Sequence, residues 1–116
     1  MNSNVVDAEV RVGDKRAINF NDYTRIYTRD IGACLAVGAI QGEIGALMHI
    51  RQIDQLDYFF SWFRDNISSR DSRIYLVGGR KGSAEDFVGE IKERLKADHY
   101  PIFRSRVLMD YHIDMW

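Results

Sequence analysis

The amino-acid sequence predicts an α+β fold, in the form of a single-domain α/β sandwich with a mostly antiparallel or mixed sheet and about two amphipathic helices. Short segments rich in β-branched and apolar residues, separated by turn-forming residues, indicate strands in both halves of the chain. Two longer segments carry apolar residues at three- and four-residue spacing, which is typical of helices packed on a sheet. The chain has 116 residues, one proline and no low-complexity stretch, so residues 1–116 are expected to form one domain.

Two strand patterns occupy the N-terminal part of the chain. In residues 5–12, valine and alanine alternate with charged residues before Gly13-Asp14, which indicates a half-buried strand that ends in a turn. After a polar stretch, residues 23–28 are rich in residue types that favour strands. Two strands are therefore expected before the central part of the chain.

The central part of the chain predicts a β-hairpin. Residues 34–40 are almost continuously apolar, which favours a strand buried on both faces. Residues 44–50 form its expected partner after a tight turn at Gln41-Gly42-Glu43. Cys34 and His49 are nearly equidistant from this turn, so we expect them to be cross-strand neighbours. The alternative register would place them on opposite faces.

The C-terminal half predicts two helices and further strands. Apolar residues recur at helical spacing in residues 53–67, and Ser83 resembles the N-cap of a second helix over residues 84–97. Short strand-like segments occupy the rest of this half, at residues 74–77, 102–109 and 111–115.

Composition limits the partners and the cellular location. A formal net charge of -1 gives no electrostatic reason to expect nucleic acid as a partner. The longest apolar run, residues 34–40, is far shorter than the roughly 20 residues that span a bilayer. No signal-peptide pattern is present at the N-terminus, so no membrane insertion is expected. The single cysteine fits a reducing compartment, and we expect a cytoplasmic protein.

Cys34 and His49 are the candidate nucleophile and base of a cysteine-dependent hydrolase. A cysteine attacks an acyl carbon when a neighbouring imidazole lowers the pKa of the thiol and takes its proton. Gly32 and Ala33 leave space beside Cys34, so that its sulfur and backbone N–H can face a cleft. The alternatives are an inert core cysteine and a core histidine that donates to a backbone carbonyl. The spacing does not identify a third group that orients the imidazole.

Four motifs follow one another in a distinctive order. The chain has Val10-Arg11-Val12-Gly13-Asp14, then Thr28, then Gly32-Ala33-Cys34, then Gly45-Ala46-Leu47-Met48-His49. In this order and at nearly this spacing they resemble the bacterial chemoreceptor glutamine deamidases called CheD. The later Leu76-Val77-Gly78-Gly79 is similar to the glycine-ended strand of that family, so the resemblance covers most of the chain.

The resemblance implies a function and an active site. It implies Cys34 as nucleophile, His49 as general base and acid, and Thr28 as the group that orients the imidazole. The implied fold is the α/β sandwich shared with the catalytic domains of deamidating toxins of the cytotoxic necrotizing factor type. The implied activity is that of a protein-glutamine glutaminase, which converts a glutamine side chain of a partner protein to glutamate and releases ammonia through a thioester. The implied substrate is a chemoreceptor or another signalling protein, as in chemotaxis.

Departures from the family pattern leave a second function open. Ala33 stands where the family has a serine, and Ile50-Arg51-Gln52 replaces a Met-Leu-Pro-like segment. The alternative is a non-catalytic CheD-like adaptor that binds a signalling protein, and Ala33 favours it. If an amine replaced water as the acceptor, the same chemistry would be transglutamination.

Two further patterns have alternative interpretations. The glycine-rich residues 78–83 join a strand to a helix, where an anion can bind, although such a loop is more often an ordinary turn. Asp110, His112 and Asp114 would share one face of a strand and resemble a carboxylate–imidazole metal site. Alternating polar residues more often mark the solvent face of a strand. The sequence therefore predicts no metal and no cofactor.

Overall fold

The computed structural model describes residues 6–51 and 55–109, and within them the chain forms seven strands and two helices. In chain order these are β1 (Asp7–Val10), β2 (Lys15–Asn19), β3 (Arg25–Thr28), β4 (Leu35–Gln41), β5 (Ile44–Ile50), α1 (Leu56–Asn66), β6 (Arg73–Arg80), α2 (Glu85–Ala97) and β7 (Ile102–Met109). The strands and helices form one α+β structure, so the predicted fold class is confirmed.

Five strands form one mixed sheet in the order β2-β5-β4-β6-β7. Its first three neighbouring pairs are antiparallel. β6 and β7 run parallel, because α2 carries the chain back to the other end of the sheet between them. The remaining strands, β1 and β3, pair in parallel as a separate two-stranded sheet.

β4 and β5 form the hairpin that the sequence predicts, with Gly42-Glu43 at its turn. Gly42 has a φ of +58°, which suits a tight hairpin turn. The expected pairing of Cys34 with His49 is shifted by two positions, since His49 lies opposite Ala36. Side chains alternate with period two along a strand, so this shift leaves Cys34 and His49 on the same face.

Different layers cover the two faces of the five-stranded sheet. The helices cover one face, where the larger group of buried apolar side chains packs. The small β1–β3 sheet lies over the other face, where Val10 packs with Ala36 and Leu47. His49 shares the face of Leu47, two residues earlier in β5, and its side chain is fully buried.

The sequence does not predict β2. Ile18 is the one buried residue among the five of this strand, so its side chains show no clear alternation. Backbone pairing with β5 along its whole length places the segment in the sheet instead. β6 also continues beyond the predicted residues 74–77 and reaches Arg80.

The start of α2 differs from the prediction. Ala84 is the N-cap residue and has no side chain that can cap, while the Ser83 hydroxyl donates to the carbonyl of Arg80 at 3.4 Å. The carboxylate of Glu85 accepts a hydrogen bond from the Gly82 N–H at 2.6 Å. The predicted Ser83 cap is therefore wrong, because this hydroxyl donates within the turn before α2 and no side chain among the described residues caps the helix. The predicted strand at 111–115 lies outside the described residues.

Candidate active site

Thr28 and His49 are joined by a hydrogen bond between β3 and β5. The Oγ1 atom of Thr28 lies 2.7 Å from Nδ1 of His49 and 2.5 Å from the carbonyl oxygen of Val10. A carbonyl oxygen only accepts, so the single hydroxyl proton of Thr28 points to Val10. Oγ1 must then accept from Nδ1–H of His49.

This arrangement fixes the tautomer of the neutral His49 ring. With the proton on Nδ1, the other ring nitrogen, Nε2, carries a lone pair. Nε2 is buried and has no hydrogen-bond partner among the described residues. A buried nitrogen without a partner is costly in a folded protein, and it is the atom that a general base needs.

The backbone of His49 is also held on both sides. Its N–H donates to the carbonyl of Asp14 at 3.0 Å, and its carbonyl accepts from the Gly13 N–H at 2.9 Å. Gly13 has a φ of +80°, which a residue with a side chain rarely adopts. The Gly13-Asp14 motif therefore forms the turn that anchors His49 from the neighbouring segment.

Cys34 lies immediately before β4, at the end of a turn that begins at Ile31. The Cys34 N–H donates to the carbonyl of Ile31 at 2.6 Å, and Gly32 within this turn has a φ of +47°. The Cys34 side chain is half-buried. Its N–H is therefore engaged in the turn, and the expectation that this N–H faces a cleft is wrong. In the part of the chain that the structure describes, the N–H groups of Gly32 and Ala33 have no acceptor.

Gly78 supports the Cys34 turn from β6. The Gly79 N–H donates to the carbonyl of Cys34 at 2.9 Å, which draws the two backbones together. A Cβ atom at Gly78 would lie within 2.3 Å of Ile31 Cγ2 and 2.4 Å of the Cys34 oxygen. Gly78 also has a φ of +115°, so this close approach requires glycine.

Cys34 and His49 lie close in the ladder but are not hydrogen-bonded. Extending the register by two residues from the Ala36–His49 pair makes Cys34 a diagonal neighbour of His49 on the same face. Cα atoms in such positions are roughly 7–8 Å apart. Catalytic contacts in ligand-free sites are often long and tighten when substrate is present. The structure thus bonds Thr28 to His49 and places Cys34 beside them.

Burial and two charged residues set the protonation of the site. Burial raises the pKa of the Cys34 thiol, and the positive charge of Arg51 acts in the opposite direction. Burial lowers the pKa of His49, and the negative charge of Asp30 opposes that change. A neutral thiol and a neutral imidazole are therefore favoured at rest. This differs from the expectation of a thiol with a lowered pKa, because desolvation outweighs the nearby charge.

The sequence considered alone does not identify Asp30, Arg51 and Gly78 as contributors to this site. Asp30 has a φ of +59°, a conformation that aspartate tolerates better than most residues, two positions after Thr28. Arg51 directly follows β5. For Gly78, the sequence offers one indication of a role at the site, namely its place in the glycine pair that ends the Leu76-Val77-Gly78-Gly79 motif.

The other candidate sites are less well supported. The N-terminal region of α2 already holds a carboxylate, since Glu85 accepts from the Gly82 N–H in the glycine-rich loop. A hydrogen bond from this loop lowers the pKa of Glu85, so the carboxylate stays charged there. Asp110, His112 and Asp114 lie outside the described residues. Among residues 6–51 and 55–109, no group of three His, Cys, Asp or Glu side chains is arranged to hold a metal ion.

Comparison with known proteins does not assign a family. The chain matches no protein-family model, and it matches no curated protein. In the described part of the chain, no helix combines the length and the apolar character needed to cross a membrane. The functional argument therefore rests on the geometry around Thr28, Cys34 and His49.

Proposed function

We propose that the protein is a cysteine-dependent protein glutamine deamidase. The observation that carries this proposal is the hydrogen bond between Thr28 and His49, which leaves Nε2 of the imidazole unprotonated on the face that Cys34 shares. Nε2 has no hydrogen-bond partner in the described part of the chain. Nucleophile, base and orienting group are the three parts that covalent acyl chemistry requires.

In the first half of the reaction, Cys34 attacks the side-chain carboxamide of a glutamine. His49 Nε2 takes the thiol proton as Sγ bonds to the amide carbon, because both groups are neutral at rest. The carbonyl oxygen becomes an oxyanion, for which the unengaged N–H groups of Gly32 and Ala33 are the nearest backbone donors in sequence. The imidazolium then protonates the nitrogen, the C–N bond breaks, and ammonia leaves a thioester on Cys34.

In the second half, water hydrolyses the thioester. His49 Nε2 takes a proton from water as its oxygen bonds to the acyl carbon, and the C–S bond breaks. The proton returns to sulfur, which restores the thiol and releases glutamate. The partner protein gains one negative charge.

Thr28 acts through His49 and is a positioning residue. Its hydroxyl donates to Val10 and therefore keeps accepting Nδ1–H while the charge of the ring changes during the reaction. This bond prevents the ring from turning Nδ1 toward the sulfur. A histidine held by a carboxylate would be more basic, whereas a hydroxyl orients the ring with less effect on its pKa.

The substrate and setting follow from the family resemblance. A chemoreceptor or another signalling protein in the cytoplasm is the proposed partner, with neither metal nor cofactor involved in the reaction.

Mass spectrometry and ammonia release test the proposed reaction. Incubation with glutamine-bearing signalling proteins should raise a tryptic peptide's mass by about 1 Da per modified glutamine and release an equal amount of ammonia. Cys34→Ser and His49→Ala should abolish both signals. Ammonia release by Cys34→Ser at the wild-type rate would exclude the proposed mechanism.

A non-catalytic adaptor is the second candidate, and two observations favour it. The Cys34 N–H is engaged by Ile31, and His49 Nε2 makes no hydrogen bond to the sulfur. An adaptor would bind its partner without ammonia release, and Cys34→Ser would bind it with unchanged affinity. Pull-down and ammonia assays on the same partner distinguish the two functions.

A further inference from the structure

Arg51 places a positive charge beside Cys34. It directly follows β5, whose last residue, Ile50, pairs with Leu35, so that the next position of the ladder places Arg51 opposite Cys34. The residue is exposed, and its charge acts on the Cys34 thiol. A cation therefore lies beside the nucleophile in a position that an incoming substrate can reach.

The guanidinium of Arg51 forms no ion pair within the part of the chain that the structure describes. Among residues 6–51 and 55–109, no carboxylate lies within ion-pair distance of it. Arg29, which directly follows β3, differs in this respect because it pairs with Glu9 at 3.3 Å. An exposed guanidinium that forms no ion pair with the described residues is available to bind an anionic group.

The charges of the site are arranged with opposite signs on its two sides. The field of Asp30 acts on His49, whereas that of Arg51 acts on Cys34. A substrate that approaches the sulfur from the Arg51 side therefore meets a positive potential. This favours an acidic group beside the reacting carboxamide.

We propose that Arg51 selects glutamines that are flanked by an acidic residue. The inference rests on the proposed deamidase function, because it assigns the substrate preference of that same site. Arg51 is a specificity-determining residue in this assignment. It contacts the carboxylate of the neighbouring acidic residue of the substrate and takes no part in proton transfer.

Alkylation of Cys34 tests the charge preference without any need for deamidase activity. Iodoacetate is an anion and iodoacetamide is neutral, and the thiolate displaces iodide from both. Because the chain has one cysteine, the adduct mass reports on this site alone. The ratio of the iodoacetate rate to the iodoacetamide rate should fall about two- to fivefold in Arg51→Gln, as expected for one exposed charge within several ångströms. The same rate ratio should be lower still in Arg51→Glu. For the wild-type protein, the ratio should decrease when the salt concentration is raised.

Arg70→Gln is the matched control. Arg70 is exposed and lies at the opposite end of β4, where its carbonyl accepts from the Gln41 side chain at 2.5 Å. Its removal changes the net charge by the same amount as Arg51→Gln and should leave the ratio unchanged. A ratio in Arg51→Gln equal to that of the wild-type protein would overturn the inference.

Synthetic peptides test the substrate preference itself. Peptides with glutamate or with lysine next to a single glutamine should differ about two- to fivefold in kcat/KM, mainly through KM, and Arg51→Gln should remove the difference. Equal use of both peptides by the wild-type protein would overturn the inference while the deamidase function stands. If neither peptide nor any protein is deamidated, the proposed deamidase function fails. In that case, an alkylation ratio that depends on Arg51 would show only that Arg51 favours anions at Cys34.

Discussion

The single proton of the Thr28 hydroxyl determines which nitrogen of His49 is available. Because that proton is donated to Val10, the imidazole keeps its own proton on Nδ1. A residue of the same shape without the hydroxyl would remove both hydrogen bonds and free the ring to choose either tautomer. The Thr28–His49 contact can therefore be tested with little change in packing.

Thr28→Val should reduce deamidation strongly and destabilise the protein modestly. We expect kcat to fall roughly 10- to 100-fold, as for the loss of a group that orients a catalytic ligand or ring. The unpaired carbonyl of Val10 and Nδ1 of His49 should cost about 1–3 kcal/mol of unfolding free energy. Ammonia release and urea unfolding measure the two effects.

Thr28→Ser is the control, because it keeps the hydroxyl. It should recover most of the activity that Thr28→Val loses, and its pH–rate profile should match that of the wild-type protein. Equal activity of the Val and Ser variants would show that the hydroxyl does not position His49.

Single residues of the candidate site differ in how far the sequence can predict them. Cys34 and His49 can be proposed from their residue types and their spacing about the hairpin turn, whereas Thr28 is implied only by the family resemblance. Arg51 and Asp30 act on the site through their charges, which affect the pKa values of Cys34 and His49. These effects depend on how the strands are arranged in space, so no local sequence pattern predicts them. The direction of the pKa shift of Cys34 was missed for the same reason, since burial depends on the whole fold.

At the scale of elements, β6 determines where the Cys34 turn lies. Its glycine pair lets the backbone approach so closely that Gly79 bonds to the Cys34 carbonyl. The strand and helix signals of the sequence located most elements, because they depend on side-chain periodicity. β2 was missed because it is held mainly by backbone pairing with β5, and backbone pairing leaves little trace in a single sequence.

Gly78→Ala should destabilise the protein and displace the Cys34 turn. The added Cβ would overlap Ile31 and the Cys34 carbonyl, and the backbone conformation is unfavourable for alanine. Strain and overlap together should cost about 2–4 kcal/mol of unfolding free energy. Deamidation should fall in conditions where the variant is still folded, because the turn moves away from His49. Urea unfolding and ammonia release are the measurements.

Gly89→Ala is a glycine substitution that should stabilise the protein, in contrast to Gly78→Ala. Gly89 lies within α2, is exposed, and has open space where a Cβ would be added. Alanine is favoured over glycine in a helix by about 0.5–1 kcal/mol, so this variant should be more stable and fully active. A Gly78→Ala protein with wild-type stability and activity would show that the close approach at Cys34 is not needed.

At the scale of the whole molecule, the chain forms three layers, and two of them enclose His49. The β1–β3 sheet, the five-stranded sheet and the helices are stacked, and the imidazole lies between the first two layers without exposure to solvent. The order of these layers was not predictable from the sequence, because it depends on which face of the sheet each element covers. It explains why burial dominates the pKa of His49.

The buried imidazole should make the stability of the whole fold depend on pH. Burial lowers the pKa of His49 in the folded state, whereas the unfolded chain keeps the ordinary value of about 6.5. Below that value the unfolded state binds more protons, so the free energy of unfolding should fall as the pH decreases from about 6.5 through the lowered folded pKa. Above about 6.5 both states are neutral at this residue, and its contribution to stability is complete.

Urea unfolding between about pH 5 and 8 measures this dependence. This pH interval lies above the range in which ordinary carboxylates titrate. His49→Gln should flatten the curve in this interval, because glutamine has no titrating group. His99→Asn is the matched control, since His99 is exposed and has a φ of +63°, which asparagine tolerates. If His49→Gln loses stability with decreasing pH as steeply as the wild-type protein and His99→Asn do, the buried imidazole is not the group responsible.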